Sequence, residues 1–189
     1  MTTDFRAHFT AHQDVVQGSL DKLEASSEAA ARAIVGALRD GKKVVTFGNG
    51  GSSAEASHFV EELMGRFRKT RRPFPAICLT ADSGTVTCIS NDFGYDALFE
   101  RQVEAFVQAG DVAVALTTSG KSENVVRALR VAKERGGVTI ALTGEAGLTG
   151  AQADHVVAVP SADSAYVQEL HLMLIHVWCE AVDRALAGD

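Results

Sequence analysis

His58 and Glu62 stand four residues apart in a helical stretch that runs through Leu63. Side chains at that spacing project from one helical face, so an imidazole and a carboxylate there can share a proton path or a metal ion. Most such pairs are plain surface contacts. This one lies just beyond a loop of flexible backbone and hydroxyls, Gly48-Asn49-Gly50-Gly51-Ser52-Ser53, which opens the same helix. A helix N-terminus of that composition suits an anion or a polar sugar. The loop is not a nucleotide fingerprint. No lysine follows its glycines, Ser53 takes the place of the third glycine in GxGxxG, and Asp82 lies too far on to be the usual ribose-binding acid.

A second loop, Thr117-Thr118-Ser119-Gly120-Lys121-Ser122, offers four hydroxyls at the start of another helix. One hydroxyl would be enough for ordinary N-capping. Two hydroxyl-rich loops after separate strands of one sheet point instead to a phosphate dianion held by hydroxyls, backbone N–H groups and the helix dipole. A third segment, Ser90-Asn91-Asp92-Phe93-Gly94, carries amide and carboxylate groups suited to sugar hydroxyls, although its pattern is also ordinary turn chemistry.

The last helical segment, about residues 164 to 187, sets Gln168, Glu169, His171 and His176 among Leu170, Leu172, Leu174, Ile175 and Trp178. Polar groups in such a stripe need partners. Gln168 and His176 are separated by about 12 Å along the helix axis and about 80° around it. They share one ion only with long reach or a frayed helix start, or else they meet His58 and Glu62 across a subunit boundary. The spacing leaves both geometries open.

The elements that must position these groups are legible as five short apolar runs: 43 to 47, 75 to 80, 111 to 117, 138 to 143 and 155 to 160. They are nearly continuously apolar rather than alternating, as parallel strands covered on both faces are. The fold class is therefore α/β, a doubly wound five-stranded parallel sheet, with ligands expected at the carboxyl ends of the strands. Two additional helical segments, about 4 to 24 and 27 to 40, precede the first strand. In the first, Phe5, Phe9, Val16, Leu20 and Leu23 form one apolar stripe. We expect it to pack on another subunit rather than on the chain's own core.

The bulk properties fit one domain. A chain of 189 residues, 46% apolar and 22% charged, is large enough for a single well-packed core. A net charge of −6 opposes non-specific nucleic-acid binding. The basic cluster Arg66, Arg68, Lys69, Arg71 and Arg72 reads as a solvated loop before an anion site. No apolar run approaches the roughly 20 residues of a membrane span. The N-terminus lacks the pattern of a secretory signal, so a cytoplasmic protein is expected. Cys78, Cys88 and Cys179 suggest neither a disulfide framework nor a thiolate zinc site and are expected to be buried.

Together, GNGGSSAEASHFVEEL at 48 to 63, GRFR at 65 to 68, SNDFGYDALFERQVEA at 90 to 105, TTSGKSENV at 117 to 125 and VQELHLMLIH at 167 to 176 make the chain resemble the sugar isomerase (SIS) domain family, and within it the phosphoheptose isomerases. The resemblance implies a flavodoxin-like sheet, a homotetramer, one zinc per site and conversion of sedoheptulose 7-phosphate to D-glycero-D-manno-heptose 7-phosphate. Carried across by motif, His58, Glu62, Gln168 and His176 would bind zinc. Asn49, Gly50, Gly51, Ser52, Arg66, Asn91, Asp92, Thr117, Thr118, Ser119 and Ser122 would hold the substrate, with Glu62 and Gln168 touching both. Two departures bear on sugar specificity: Ala165 stands where a family member has Asp, and the loop near Asp82 to Thr85 is longer by one residue.

An aldose–ketose interconversion needs a proton taken from the carbon beside a carbonyl and a proton returned to its neighbour. Glu62 and His176 would be that base and acid, in either order. The rival reading is a non-catalytic SIS protein, either a sugar-phosphate sensor or a partner of a replication initiator. The presence of the whole set His58, Glu62, Gln168 and His176 favours the enzyme.

Overall fold

The elements follow from where the apolar runs end. In the computed structural model, which describes residues 4–188, they come in the order α1 (Phe5–Arg39), β1 (Val44–Gly48), α2 (Gly51–Met64), β2 (Ala76–Cys78), α3 (Ser83–Phe93), a 3-10 turn (Tyr95–Ala97), α4 (Leu98–Phe106), β3 (Val112–Thr117), α5 (Glu123–Glu134), β4 (Val138–Thr143), β5 (His155–Ala158) and α6 (Ser164–Leu186). All five expected strands form, in one parallel sheet of order β2-β1-β3-β4-β5. β1 and β3 are neighbours although β2 lies between them in sequence, so the strand order reverses there and a crevice opens between the loops that follow them.

Every residue of β1 and β3 is buried, because helices cover both faces. Val44, Val112, Val114, Leu116, Ile140 and Leu142 point into one core with α1, α2 and α6. Val45, Phe47, Ala113, Ala115 and Ala141 point into the other, with α3, α4 and α5. This is the doubly wound architecture expected from the near-continuous apolar strands. Among the described residues no helix is long and apolar enough to cross a membrane.

Three local expectations are corrected. The two helical segments before β1 are one 35-residue helix. Its serines do not break it: Ser26 Oγ bonds back to the Leu23 carbonyl at 3.0 Å, and the buried Ser27 Oγ accepts a hydrogen bond from Trp178 Nε1 at 3.0 Å. The segment Ser90 to Phe93 is the last part of α3 rather than a turn, which ends where Gly94 adopts φ +84°. Cys78 and Cys179 are buried as expected, but Cys88, on α3, is exposed.

α1 divides its apolar stripe. Leu23, Ile34 and Leu38 are buried in the chain's own core, whereas Phe5, Phe9 and Leu20 are 70%, 59% and 58% exposed.

Candidate active site

α2 starts at the mouth of the crevice. Its N-cap is Gly50, at φ +56°, so no side chain caps it; the N–H groups of Ser52 and Ser53 donate back to the Asn49 and Gly50 carbonyls at 3.0 Å. α5 repeats the arrangement. Its N-cap Ser122 makes no capping hydrogen bond, which sets aside simple capping as its role; its hydroxyl lies 3.4 Å from that of Thr117. Between the two helix starts lies a small polar cavity of about 70 Å³ lined by Asn49, Ser52, Leu116, Thr117, Thr118, Ser119, Ser122 and Gln168. Seven of the eight are residues singled out from the sequence, and they come from three elements distant in the chain.

α2 and α6 lie side by side and meet in three successive places. At the first, Gln168 rests against Gly51, where an added Cβ would stand 2.6 Å from its Nε2. At the second, Glu55 Oε2 lies 3.9 Å from Nδ1 of the fully buried His171. At the third, His58 Nε2 lies 3.0 Å from His176 Nε2 and 3.5 Å from Glu62 Oε1. One chain thus brings His58, Glu62 and His176 together. Phe67 stacks on the His176 ring, with centroids 5.5 Å apart.

The third cluster suits a metal ion. One ligand atom from each of His58, Glu62 and His176 lies within 4.8 Å of the others. Glu61 Oε1 sits 2.8 Å from His58 Nδ1, so that nitrogen carries the proton and Nε2 turns its lone pair to the cluster. Two imidazole nitrogens and one carboxylate oxygen, all half-buried, form the kind of set that holds a divalent ion with a position left open.

The middle contact was not anticipated for Glu55. His171 Nε2 lies 3.1 Å from the Thr143 carbonyl, which can only accept, so the neutral ring has its lone pair on Nδ1. Burial pushes the Glu55 carboxyl up to about 8, and burial pushes His171 down to about 4 against the opposing hydrogen bond to Thr143. Both shifts favour the uncharged forms, and at 3.9 Å the two facing atoms, Glu55 Oε2 and His171 Nδ1, are buried without a hydrogen-bond partner among the described residues. The signal in the sequence was the spacing: Glu55, at three and seven residues before His58 and Glu62, falls on their face of α2.

Other predicted residues lie outside this cavity within the chain. Arg66 is exposed just after α2. Asn91 and Asp92 are exposed at the end of α3 and bond to each other, Asn91 Nδ2 donating to Asp92 Oδ1 at 2.7 Å. Of the basic cluster, Arg71 is not solvated. Its side chain is 1% exposed and pairs with Asp183, while its guanidinium also donates to the Glu62 and Leu63 carbonyls.

Comparison with known proteins agrees with this geometry. Residues 7–144 match the SIS domain family. The phosphoheptose isomerase of Aquifex aeolicus is 52% identical over 151 residues, 79% of either chain, and that of Geobacter metallireducens is 43% identical over 187 residues, 98% of this chain and 99% of the relative. The solved structure of a phosphoheptose isomerase from Francisella tularensis superposes with a TM-score of 0.92 at 34% identity, covering 97% of this chain and all of that one. Identity of 43% along nearly the whole of both chains, with the same architecture, places this chain in the SIS domain family, among its phosphoheptose isomerases.

Proposed function

We propose that this chain is an aldose–ketose isomerase that converts sedoheptulose 7-phosphate to D-glycero-D-manno-heptose 7-phosphate through an enediol. The observation that carries the reading is the juxtaposition, along α2 and α6, of a hydroxyl-lined cavity suited to the phosphate end of a sugar phosphate with the His58–Glu62–His176 cluster. A sensor needs the cavity but not the cluster.

The phosphate is held by Thr117, Thr118, Ser119 and Ser122 and by the N–H groups at the start of α5, where the helix dipole favours a dianion. Asn49, Gly50, Gly51, Ser52 and Gln168 line the path of the sugar, and Arg66, Asn91 and Asp92, exposed outside the cavity in the single chain, would contact it from the rim or from a neighbouring subunit. Glu62 removes a proton from C1. The C–H electron pair becomes the C1=C2 bond, and the C2 carbonyl oxygen takes a proton from His176. Returning a proton to C2 while O1 loses its own yields the aldehyde, so no atom or electron is gained or lost. Each positioned acid or base of this kind contributes about 10² to 10⁴-fold in rate.

Zinc, held by His58, Glu62 and His176, would supply a Lewis acid at the substrate carbonyl; Gln168, whose side chain rests against Gly51 in the single chain, would have to reach toward the cluster to serve as a further donor. The assembly is a homotetramer of single SIS domains in the cytoplasm. Supporting this, Leu20, Met173 and Val177 leave an apolar groove between α1 and α6 uncovered in the single chain.

Incubation of the metal-loaded protein with sedoheptulose 7-phosphate, followed by NMR, tests the reading. Aldose formation that is lost in Glu62→Gln supports it. Binding of the sugar phosphate with no turnover by the wild type returns the protein to the sensors.

A further inference from the structure

Three segments were singled out for substrate, and residues in or directly after each of them meet at one side chain. Asn49 Nδ2 donates to Asn124 Oδ1 at 2.9 Å, Asn124 Nδ2 donates back to Asn49 Oδ1 at 2.9 Å, and the Tyr95 hydroxyl donates to Asn49 Oδ1 at 2.7 Å. Asn124 is 2% exposed and sits in the first turn of α5, directly after the hydroxyl loop. Tyr95 follows Gly94 at the end of α3. The carboxamide of Asn49 is thereby committed to protein partners, leaving one N–H and the backbone for a ligand.

We infer that Asn124 and Tyr95 are positioning residues of the isomerase, locking the glycine loop to the phosphate loop through the Asn49 carboxamide. The inference rests on the isomerase reading. The reason is geometric. α2 begins two residues after Asn49 and carries Glu62, whereas α5 begins one residue before Asn124 and presents its N-terminus to the phosphate. The paired amides are the direct side-chain link between the two helix starts, so they set how far the anchored phosphate lies from the base. A paired carboxamide is also demanding: an aspartate at either position would set two acceptor oxygens face to face.

The lock predicts a loss in kcat larger than the loss in phosphate affinity. Kinetics with sedoheptulose 7-phosphate, and with inorganic phosphate as inhibitor, would compare the metal-loaded wild type with Asn124→Asp, Tyr95→Phe, Asn49→Ala, Asn124→Ala and the Asn49→Ala/Asn124→Ala double variant. Asn124→Asp should lower kcat about 100-fold, the cost of misplacing a reacting centre by about 1 Å. Its inhibition constant for phosphate should stay within about threefold of wild type, because the hydroxyl loop keeps its own donors. Tyr95→Phe, at a half-exposed side chain that the fold tolerates, should lower kcat about fivefold, the worth of one neutral hydrogen bond. The double variant should be no worse than the poorer single one, as coupled partners require. Wild-type kcat in both Asn124→Asp and Tyr95→Phe, or additive losses in the double variant, would overturn the lock. If Asn124→Asp does not fold, Tyr95→Phe decides. A wild type that does not turn the sugar over removes the isomerase reading first, before any variant is compared.

Discussion

At Gly120 the backbone φ is +66°, and an added Cβ would stand 1.7 Å from the Gly147 carbonyl oxygen. At Gly51 the Cβ would meet the end of the Gln168 side chain, which can swing away. The same substitution should therefore do different things. Gly120→Ala should cost about 3 kcal/mol or more in chemical denaturation, since neither backbone can yield. Gly51→Ala should cost about 1 kcal/mol or less in stability, yet lower kcat/KM at least tenfold or so by displacing Gln168. Glu55 and His171 make a prediction about pH. The folded state keeps the Glu55 proton up to about 8, whereas the unfolded chain releases it near its ordinary value of 4.5. That contribution is complete below 4.5 and is lost as pH rises toward 8. His171 stays neutral down to about 4 against an ordinary 6.5, so its contribution is present above 6.5 and is lost as pH falls toward 4. The two oppose each other between 4.5 and 6.5, and Glu55 acts alone above that. Stability of the metal-free protein should fall from pH 6.5 to 8 with a slope of at most about 1.4 kcal/mol per pH unit. Glu55→Gln should flatten that segment in urea titrations at successive pH values.

The C-terminal end of α2, which carries Glu62, is held by a buried network as well as by its cap, the Gly65 N–H donating to the Glu61 carbonyl at 2.7 Å. Arg71 donates to the Glu62 and Leu63 carbonyls at 2.7 and 2.8 Å. Asp183 on α6 accepts from Arg71 and from the backbone N–H groups of Arg68 and Lys69. Burial alone would raise the Asp183 pKa; these hydrogen bonds and the Arg71 charge outweigh it and hold the pKa below the ordinary value. Both side chains are almost fully buried, at 1% and 4% exposure, so removing one partner strands the other. Asp183→Ala should cost about 3 to 5 kcal/mol of unfolding free energy, read by urea titration. The network also orders the segment bearing Phe67 against His176, so a milder change, Phe67→Leu, should leave stability within about 1 kcal/mol while altering kcat.

For the whole molecule, the long α1 is the element the sheet does not account for. Its C-terminal half is core, and its N-terminal half presents Phe5, Phe9 and Leu20 to the outside beside Met173 and Val177 of α6. A single chain rarely leaves such a surface uncovered. If this face joins the subunits, Leu20→Glu should weaken assembly about 100-fold or more, because a charge would be buried without a partner. Light scattering across a dilution series would show the lower mass. An unchanged mass at every concentration would place the interface elsewhere.

The strands, their parallel arrangement and the hydroxyl-rich loops that follow them were legible because each rests on local pattern. Val44 to Phe47 and Val112 to Leu116 are apolar on both faces, and only a covered parallel strand uses such residues throughout. The hydroxyl loops, likewise, are contiguous in the chain, and His58 and Glu62 are paired by helical spacing alone. What local pattern could not settle was distance between elements. Whether His176 meets His58 within one chain depended on α2 and α6 lying side by side, and tertiary packing alone brings their Nε2 atoms to 3.0 Å. The Asn49–Asn124 pair, 75 positions apart, and the facing of Glu55 by His171 are of the same kind. So is the burial of Arg71, which by type and neighbourhood belongs in solvent and is drawn inside by Asp183, 112 positions away. Periodicity and loop composition, being properties of adjacent residues, determined the elements and the class of ligand. Partners for polar groups are chosen only when the sheet and its helices close, because burial is what makes an unpaired polar group costly.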